Sequence, residues 1–157
     1  MEYLPNGLTL SLCDGAFPLS TDSILLSHFV RLPKNASVLD LGSGCGTLGL
    51  LLCSKDRSCR VTGVELEDTA HQEALRNIRH NRLDTRMESI CADLRSVSER
   101  FSPGSFSCCV SNPPYFSEGA ISVVQCNFFP LKARLRPFAQ LKQDKIDGCT
   151  FPVPHQT

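Results

Sequence analysis

The sequence predicts one α/β domain built on a parallel sheet, and three observations support this prediction. Apolar runs that fit strands alternate with amphipathic stretches that fit helices between residues 37 and 111. A glycine-rich turn separates the first of these strands from the helix that follows it. The chain has 157 residues, of which 41% are hydrophobic, enough for one core and too few for two domains. In such a sheet the ligand is expected at the carboxyl ends of the strands.

A strand and a helix are expected before the sheet, over residues 1–36. Residues 4–12 combine a turn signal with apolar residues at alternate positions, which predicts a short strand at an edge. Ser20 or Thr21 caps a helix that carries Asp22 in its first turn, and a proline ends it. These elements would form an N-terminal segment beside the main sheet.

The alternating series follows the N-terminal segment. Its strands are expected over 38–41, 60–64, 87–91 and 106–111, and its helices over 47–53, 69–81 and, briefly, after Asp93. The second helix has one apolar face with the 3.6-residue spacing of a helix that covers a sheet, formed by Ala70, Ala74, Leu75 and Ile78. The predicted domain, residues 37–119, has about four parallel strands with flanking helices.

The regular alternation stops shortly after residue 116. Residues 120–157 hold four prolines and one stretch that fits a short strand, so we expect an irregular or disordered tail. The sheet would then be only the N-terminal half of a larger one. Its last strand, over 106–111, would be partly unpaired and would expose Phe106, Cys108 and Val110.

Charge and hydropathy exclude several classes of protein. Sixteen basic and sixteen acidic residues cancel, so the chain lacks the footprint of a non-specific nucleic-acid binder. A local basic cluster fits a solvated helix face as well as a phosphate-contacting one; it comprises Arg76, Arg79, His80, Arg82 and Arg86. No apolar run approaches the roughly 18 residues that cross a bilayer, and no signal-peptide pattern is present. We therefore expect a cytoplasmic protein without membrane contact.

The nine cysteines show neither paired spacing nor a C-x-x-C motif. Most lie inside apolar stretches, where a free cysteine behaves as a small hydrophobic residue. We therefore expect reduced thiols in the core and no metal site.

The turn after the first sheet strand reads Asp-Leu-Gly-Ser-Gly-Cys-Gly and opens a helix. Gly42, Gly44 and Gly46 permit positive φ and the close approach of a ligand. The last two, together with Gly49, also fit the dinucleotide fingerprint G-x-G-x-x-G, and Glu65 ends the next strand where a ribose-binding carboxylate belongs. A nicotinamide cofactor and S-adenosylmethionine both need such a ribose contact, so these residues alone leave both open.

The fourth sheet strand ends in Asn112-Pro113-Pro114-Tyr115. An exocyclic amine or amide is a poor nucleophile because its lone pair is delocalised. The side-chain oxygen of Asn112 and the carbonyl of Pro113 can each accept a hydrogen of one NH2 group, which aims its lone pair at a methyl donor. The prolines preset the turn, and Tyr115 offers a stacking face for an unstacked base. These four residues are therefore the predicted catalytic residues for methyl transfer to an amino or amide nitrogen, and no general base is required.

With these motifs identified, residues 4–119 resemble the tRNA(adenine-N6)-methyltransferase family that modifies valine tRNA, a class I family with a Rossmann-like sheet. The resemblance extends to the opening Leu-Pro-Asn-Gly-Leu over 4–8 and to the helix pattern Phe-x-x-x-x-Asp-x-x-Leu-Leu over 17–26. It implies S-adenosylmethionine as cofactor and the N6 amine of an adenine in tRNA as acceptor.

The resemblance also implies residue roles. The motif D-x-G-x-G-x-G would bind the cofactor through Asp40, Gly42, Gly44 and Gly46. Glu65 would hold the ribose, Asp93 would meet the adenine amino group, and Asp22 would lie near the methionine end of the cofactor. The expected partner is tRNA or another nucleic acid.

Other interpretations of these motifs stay open. Glutamine methyltransferases of release factors, DNA adenine methyltransferases and guanine-amino methyltransferases of ribosomal RNA share the Asn-Pro-Pro-Tyr turn or its chemistry. The first two usually bring a recognition region that is not present in this sequence. Family members continue beyond the equivalent of Gly119 with three more strands, whereas 38 residues follow here and do not resemble that continuation. A truncated or frame-shifted reading, or a non-catalytic remnant with a partial cofactor site, is therefore the competing hypothesis.

Overall fold

Strands and helices alternate along the chain in the computed structural model, which describes residues 1–4, 7–16 and 19–112. In chain order the elements are β1 (Glu2–Tyr3), β2 (Thr9–Leu10), α1 (Thr21–Phe29), β3 (Ser37–Leu41), α2 (Thr47–Lys55), β4 (Arg60–Glu65), α3 (Asp68–His80), β5 (Met87–Cys91), a 3₁₀ turn (Leu94–Ser96), α4 (Val97–Arg100) and β6 (Cys108–Val110). No helix in these ranges is long and apolar enough to cross a membrane.

The main sheet has four parallel strands in the order β5-β4-β3-β6. The predicted α/β class and all four predicted sheet strands are confirmed, although β6 is shorter than the predicted 106–111. The chain crosses over between β5 and β6, so β3 and β4 lie at the centre of the sheet. This order brings the ends of β3 and β6 side by side, at the point where the strand order reverses and ligands bind in such sheets.

Apolar side chains form a core on each face of the sheet. On one face the helices bury a large cluster that includes Leu50, Leu52 and Val61. On the other face a smaller cluster contains Leu39, Val64 and Phe106. These two layers explain why the central strands are apolar on both faces.

The prediction that β6 exposes its apolar side chains was wrong. Phe106, Cys108 and Val110 are all buried in the structure. Cys108 and Val110 belong to the large cluster, and the ring of Phe106 packs edge-on against Phe101 at 4.9 Å. The chain around this edge strand of the described sheet therefore still contributes side chains to the clusters on both faces.

The predicted short strand within 4–12 is present outside the main sheet, but it covers less of this range than expected. β2 covers only Thr9–Leu10 and pairs antiparallel with β1 in a separate two-stranded sheet. The physical reason lies in α3, where Asn81 accepts a hydrogen bond from Thr9 N (2.9 Å) and Asn77 accepts one from Ser11 N (2.8 Å). The Asn77 and Asn81 side chains thus accept hydrogen bonds from backbone N–H groups that a longer strand would donate to a neighbouring strand.

Helix α1 is fixed at both ends. The Ser20 side chain accepts a hydrogen bond from Ser23 N at 3.2 Å, which confirms Ser20 as its cap. At the other end the ammonium group of Lys55, the last residue of α2, donates to the carbonyls of Ser27 (2.7 Å), His28 (2.8 Å) and Val30 (2.7 Å). A cation that bonds the last carbonyls of a helix satisfies orphan acceptors and complements the helix dipole.

Candidate cofactor and acceptor site

The carboxyl edge of the sheet collects most of the predicted site residues. Leu41 pairs with Val64 and Glu65 with Cys91, so the glycine turn, Glu65 and Asp93 follow one another across three strands. Asp40 pairs with Val110, which places Asn112 beside the glycine turn on its other side. The strand register alone therefore brings these groups to one edge.

The glycine turn has the backbone conformation that its sequence predicts. Gly42, Gly44 and Gly46 have φ of 70°, 54° and 87°, all in the left-handed region that favours glycine. The backbone N–H groups of Gly42 and Ser43 both donate to the carbonyl of Val64, at 2.9 and 3.2 Å. A Cβ on Gly42 or Gly44 would meet no atom within 4 Å. The turn is thus held from the β4 side and leaves open space that a ligand could occupy.

Glu65 ties the glycine turn to the end of β4. Its Oε2 accepts a hydrogen bond from Gly44 N at 2.7 Å. Its Oε1 accepts from the backbone N–H groups of Leu66 (2.8 Å) and Glu67 (2.9 Å). A carboxylate has about four acceptor positions, so this one is fixed in direction and keeps capacity for a hydroxyl group.

Asp40 lies beneath the turn. It is 1% exposed, and its Oδ2 has no hydrogen-bond partner among the described residues. Burial, with a smaller contribution from the charge of Glu65, raises the pKa of Asp40 from 3.8 to about 7, against the opposing effect of the Gly49 backbone N–H. Its predicted contact with a cofactor remains a prediction, because the carboxyl group is enclosed by protein.

Asp93 caps the 3₁₀ turn after β5. Its Oδ1 accepts a hydrogen bond from Arg95 N at 2.8 Å, and Nε of Arg95 donates to both carboxylate oxygens at 3.0 Å. These hydrogen bonds to Arg95 lower the pKa of Asp93 to about 2. An ionised acceptor therefore stands at the carboxyl end of β5, and it already has a cationic partner.

Asn112 stands two residues beyond β6 and is partly buried. The hydroxyl of the preceding Ser111 donates to the carbonyl of Leu41 at 2.8 Å, which fixes the backbone beside β3. The Asn112 side chain donates through Nδ2 to Oγ of Ser23 at 2.9 Å. Within residues 1–4, 7–16 and 19–112, nothing donates a hydrogen bond to its Oδ1. Pro113, Pro114 and Tyr115 lie outside the described residues.

In the described part of the chain, no hydrogen bond or ion pair links Asp22 or the basic cluster to this edge of the sheet. Asp22 is exposed in the first turn of α1, and its predicted role stays a prediction. In the basic cluster, Arg76 pairs with Glu73 at 2.8 Å. Arg86 donates to the carbonyls of Cys53 and Asp56. Two of the five basic residues therefore have structural partners.

Sequence reasoning missed two groups that support the site. Asn77 of α3 donates to the carbonyls of Ser11 (2.8 Å) and Cys45 (2.9 Å), so it joins the N-terminal segment to the glycine turn. Its position three residues after Ala74, on the core face of α3, was the available signal. Ser23 is an ordinary helix residue in sequence, and nothing in its neighbours indicated a contact with Asn112.

Solved structures share this architecture. The chain is similar to the delta-N METTL16 MTase domain, with a TM-score of 0.61 and 18% identity over 71% of this chain and 55% of that chain. It is also similar to a SAM-dependent methyltransferase from Thiobacillus denitrificans in complex with S-adenosyl-L-homocysteine, with a TM-score of 0.51 and 22% identity over 60% of this chain and 37% of that chain. The fold is therefore that of the class I methyltransferases, as the sequence predicted.

The family follows from the sequence comparison. The profile of the methyltransferase small domain family matches residues 20–137, and the chain belongs to this family. A tRNA1(Val) (adenine(37)-N6)-methyltransferase from Bacteroides fragilis is 34% identical over 103 residues, which are 66% of this chain and 43% of that protein. The enzyme of the same name from Vibrio parahaemolyticus is 32% identical over 106 residues, 68% of this chain and 43% of that protein. The chain thus spans less than half the length of these relatives.

Proposed function

We propose that this chain binds S-adenosylmethionine at the carboxyl edge of its sheet and serves methyl transfer to the N6 amine of an adenine in tRNA. The observation that carries the proposal is the pairing of two features on adjacent strands. An open glycine turn, locked by the Glu65 carboxylate, follows β3, and Asn112 follows β6 with its Oδ1 unbonded among the described residues. The glycine turn with Glu65 fits a bound cofactor, and Asn112 fits the amine that receives the methyl group.

The cofactor residues fit S-adenosylmethionine by their chemistry. The turn leaves open space next to its backbone, and Glu65 offers a fixed carboxylate with spare acceptor capacity for a ribose diol. Asp93 offers an ionised acceptor for an adenine amino group. When bound, the cofactor supplies an electrophilic methyl group on a sulfonium.

Asn112 would orient the acceptor nitrogen. Its Oδ1 accepts one hydrogen of the substrate amine, and the Pro113 carbonyl, in the motif Asn-Pro-Pro-Tyr, accepts the other. Both hydrogens are then held aside, so the nitrogen lone pair is aimed at the methyl carbon. The bound cofactor would supply the methyl group from its sulfonium, whose sulfur would become a neutral thioether, and the extra proton on the nitrogen would leave to water. The relatives' names and this arrangement support tRNA as the substrate class.

Cofactor binding is tested by calorimetry with S-adenosylmethionine on the full chain. Glu65→Gln should weaken binding by at least about tenfold, because it removes a charged acceptor from both the turn and the ligand. Glu67→Gln is the matched control, since Glu67 is an exposed acid two residues away that bonds the site only through its backbone. Equal effects of the two variants, or no binding by the unaltered chain, would contradict the proposal.

Acceptor chemistry is tested by transfer of a labelled methyl group to unmodified tRNA. The labelled nucleoside should be N6-methyladenosine, and Asn112→Ala should reduce transfer by about a hundredfold or more while leaving cofactor affinity within a factor of two. Tight cofactor binding without any transfer to tRNA would leave the chain a cofactor-binding remnant and would refute the acceptor half of the proposal.

A further inference from the structure

Asn112, the residue proposed to hold the substrate amine, is hydrogen-bonded to a helix outside the sheet. Asn112 Nδ2 donates to Ser23 Oγ at 2.9 Å, although the two residues are 89 positions apart in the chain. Ser23 is 7% exposed and lies in the first turn of α1. A polar contact at such low exposure is protected from competing water, so it has a defined geometry.

The Ser23 hydroxyl has a second partner in the cap of α1. Ser20 Oγ lies 3.3 Å from Ser23 Oγ and also accepts from Ser23 N at 3.2 Å. When Ser23 donates its hydroxyl hydrogen to Ser20, its lone pairs remain for an incoming N–H group. In this arrangement Ser23 donates to Ser20 and accepts from the NH2 end of Asn112.

A side-chain amide has a donor end and an acceptor end, and a half-turn about its terminal bond exchanges them. With Nδ2 held by Ser23, Oδ1 faces away from α1. With the amide turned over, an NH2 group would face the substrate NH2, and two donors would oppose each other. The reaction therefore depends on which end of Asn112 faces the acceptor.

We propose that Ser23 is a positioning residue that selects the productive orientation of the Asn112 amide. It would do so by accepting a hydrogen bond from Nδ2, so that Oδ1 is presented to the substrate amine. This inference rests on the proposed function, because it deepens the role of Asn112 in that reaction. The effect should appear in the chemical step and leave cofactor binding unchanged. Within the described residues, the Ser23 hydroxyl bonds to Asn112 and Ser20 and not to the glycine turn or Glu65.

The first test detects the hydrogen bond between Asn112 and Ser23 and does not require methyl transfer. In protein labelled with ¹⁵N-asparagine, the Asn112 NH2 resonance is assigned by its loss in Asn112→Asp. Ser23→Ala should shift this resonance and speed its hydrogen exchange by about tenfold, because the donor loses a partially buried acceptor. Ser27→Ala is the matched control: Ser27 is 5% exposed on the same helix, and its hydroxyl donates to the Ile24 carbonyl at 2.7 Å. An unchanged resonance in Ser23→Ala, or an equal change in Ser27→Ala, overturns the proposal.

The second test measures how the loss of this hydrogen bond changes the rate of single-turnover methyl transfer. Ser23→Ala should slow transfer by about ten- to a hundredfold while the Kd for S-adenosylmethionine stays within a factor of two. Ser23→Thr, which keeps the hydroxyl, should restore part of the rate. In an Asn112→Ala background Ser23→Ala should have no further effect, because the two residues act as one unit. Full additivity of the two substitutions, or a normal rate in Ser23→Ala, overturns the proposal.

The two proposals fail differently. If the unaltered chain transfers no methyl group, the proposed function fails for this chain, and the resonance of Asn112 still decides whether Ser23 orients it. If transfer occurs and Ser23→Ala leaves both the resonance and the rate unchanged, only the positioning role fails.

Discussion

The two sides of the carboxyl edge are built in different ways. The glycine-turn side is held by neighbouring strands, since Gly42 N donates to the Val64 carbonyl at 2.9 Å and Gly44 N donates to Glu65 at 2.7 Å. The acceptor side is held through a helix outside the sheet, by the hydrogen bond from Asn112 to Ser23 at 2.9 Å. Strand pairing brings both sides to this edge, but the direction of the Asn112 side chain also depends on where α1 packs.

Because of this difference, cofactor binding and the positioning of the substrate amine should respond to different substitutions. Changes in β3 and β4 should act on the glycine turn and on the stability of the whole sheet. Changes in α1 and its anchor should act on Asn112 with little effect on the turn. The following four predictions either separate the two sides or show that they are coupled.

The strongest change should come from Asp40, which makes the stability of the glycine-turn side depend on pH. Its pKa is raised to about 7 from 3.8, so between these values the folded state holds a proton that the unfolded state has lost. The stabilisation from this group is complete below about pH 4 and is lost as the pH rises through 7. The loss is about 1.4 kcal/mol per pH unit and at most about 4 kcal/mol in total.

Asp40→Asn should remove this pH dependence, because the amide does not ionise. Urea unfolding at pH 4.5, 6 and 8 measures it: the variant should gain stability relative to the unaltered chain as the pH rises. Asp84→Asn, which removes an exposed carboxylate, is the control and should leave the slope in place. Parallel pH profiles for Asp40→Asn and the unaltered chain would contradict the prediction.

The next effect is a steric one at Gly63 in β4. A Cβ at this position would lie 2.7 Å from Ser43 Oγ and 2.9 Å from Ser43 Cβ, so Gly63→Ala must displace the glycine turn. We expect a loss of about 1–3 kcal/mol in the free energy of unfolding and a clear loss of cofactor affinity. The Asn112 resonance should change little, because β6 does not pair with β4.

Gly49→Ala provides the comparison for Gly63→Ala. Its Cβ would lie 2.5 Å from the terminal methyl group of Met87, a flexible side chain that can move aside, and the helix gains a better helix former. Denaturation and calorimetry should therefore show a smaller loss for Gly49→Ala. A larger loss at Gly49 than at Gly63 would mean that the turn is not braced by β4 as the structure indicates.

The sequence was sufficient for the sheet and for the positions of the glycine turn and Glu65. The glycine turn and the position of Glu65 are both consequences of local pattern and strand order, so both could be predicted. The anchoring of Asn112 could not be predicted, because Ser23 is a common residue whose importance comes only from tertiary packing. The short extent of the strand within 4–12 has the same origin, since Asn77 and Asn81 accept hydrogen bonds from its backbone across more than sixty positions of sequence.

A smaller effect is expected from the anchor of α1 on the acceptor side. Lys55→Met leaves three carbonyls of Ser27, His28 and Val30 without their cation, at an exposed helix end. The expected loss is about 1 kcal/mol in the free energy of unfolding, together with faster hydrogen exchange of the Asn112 NH2 group. Cofactor affinity should stay within about a factor of two. Lys34→Met, at an exposed lysine near the start of β3, is the control; a loss of cofactor affinity in Lys55→Met alone would show that the two sides are coupled.

The smallest effect concerns the partner of Asp93. Arg95→Ala removes an exposed ion pair that water and salt screen, so the free energy of unfolding should hardly change. The pKa of Asp93 should rise towards its ordinary value, because hydrogen bonds from Arg95 are the main cause of its lowering to about 2.

At neutral pH the carboxylate stays ionised and loses a competing donor, so the affinity for S-adenosylmethionine should increase by about two- to threefold if Asp93 meets the adenine amino group. Calorimetry decides this against Arg100→Ala, a neighbouring exposed arginine. Weaker binding in Arg95→Ala would mean that the arginine, and not only Asp93, supports the cofactor side of the edge.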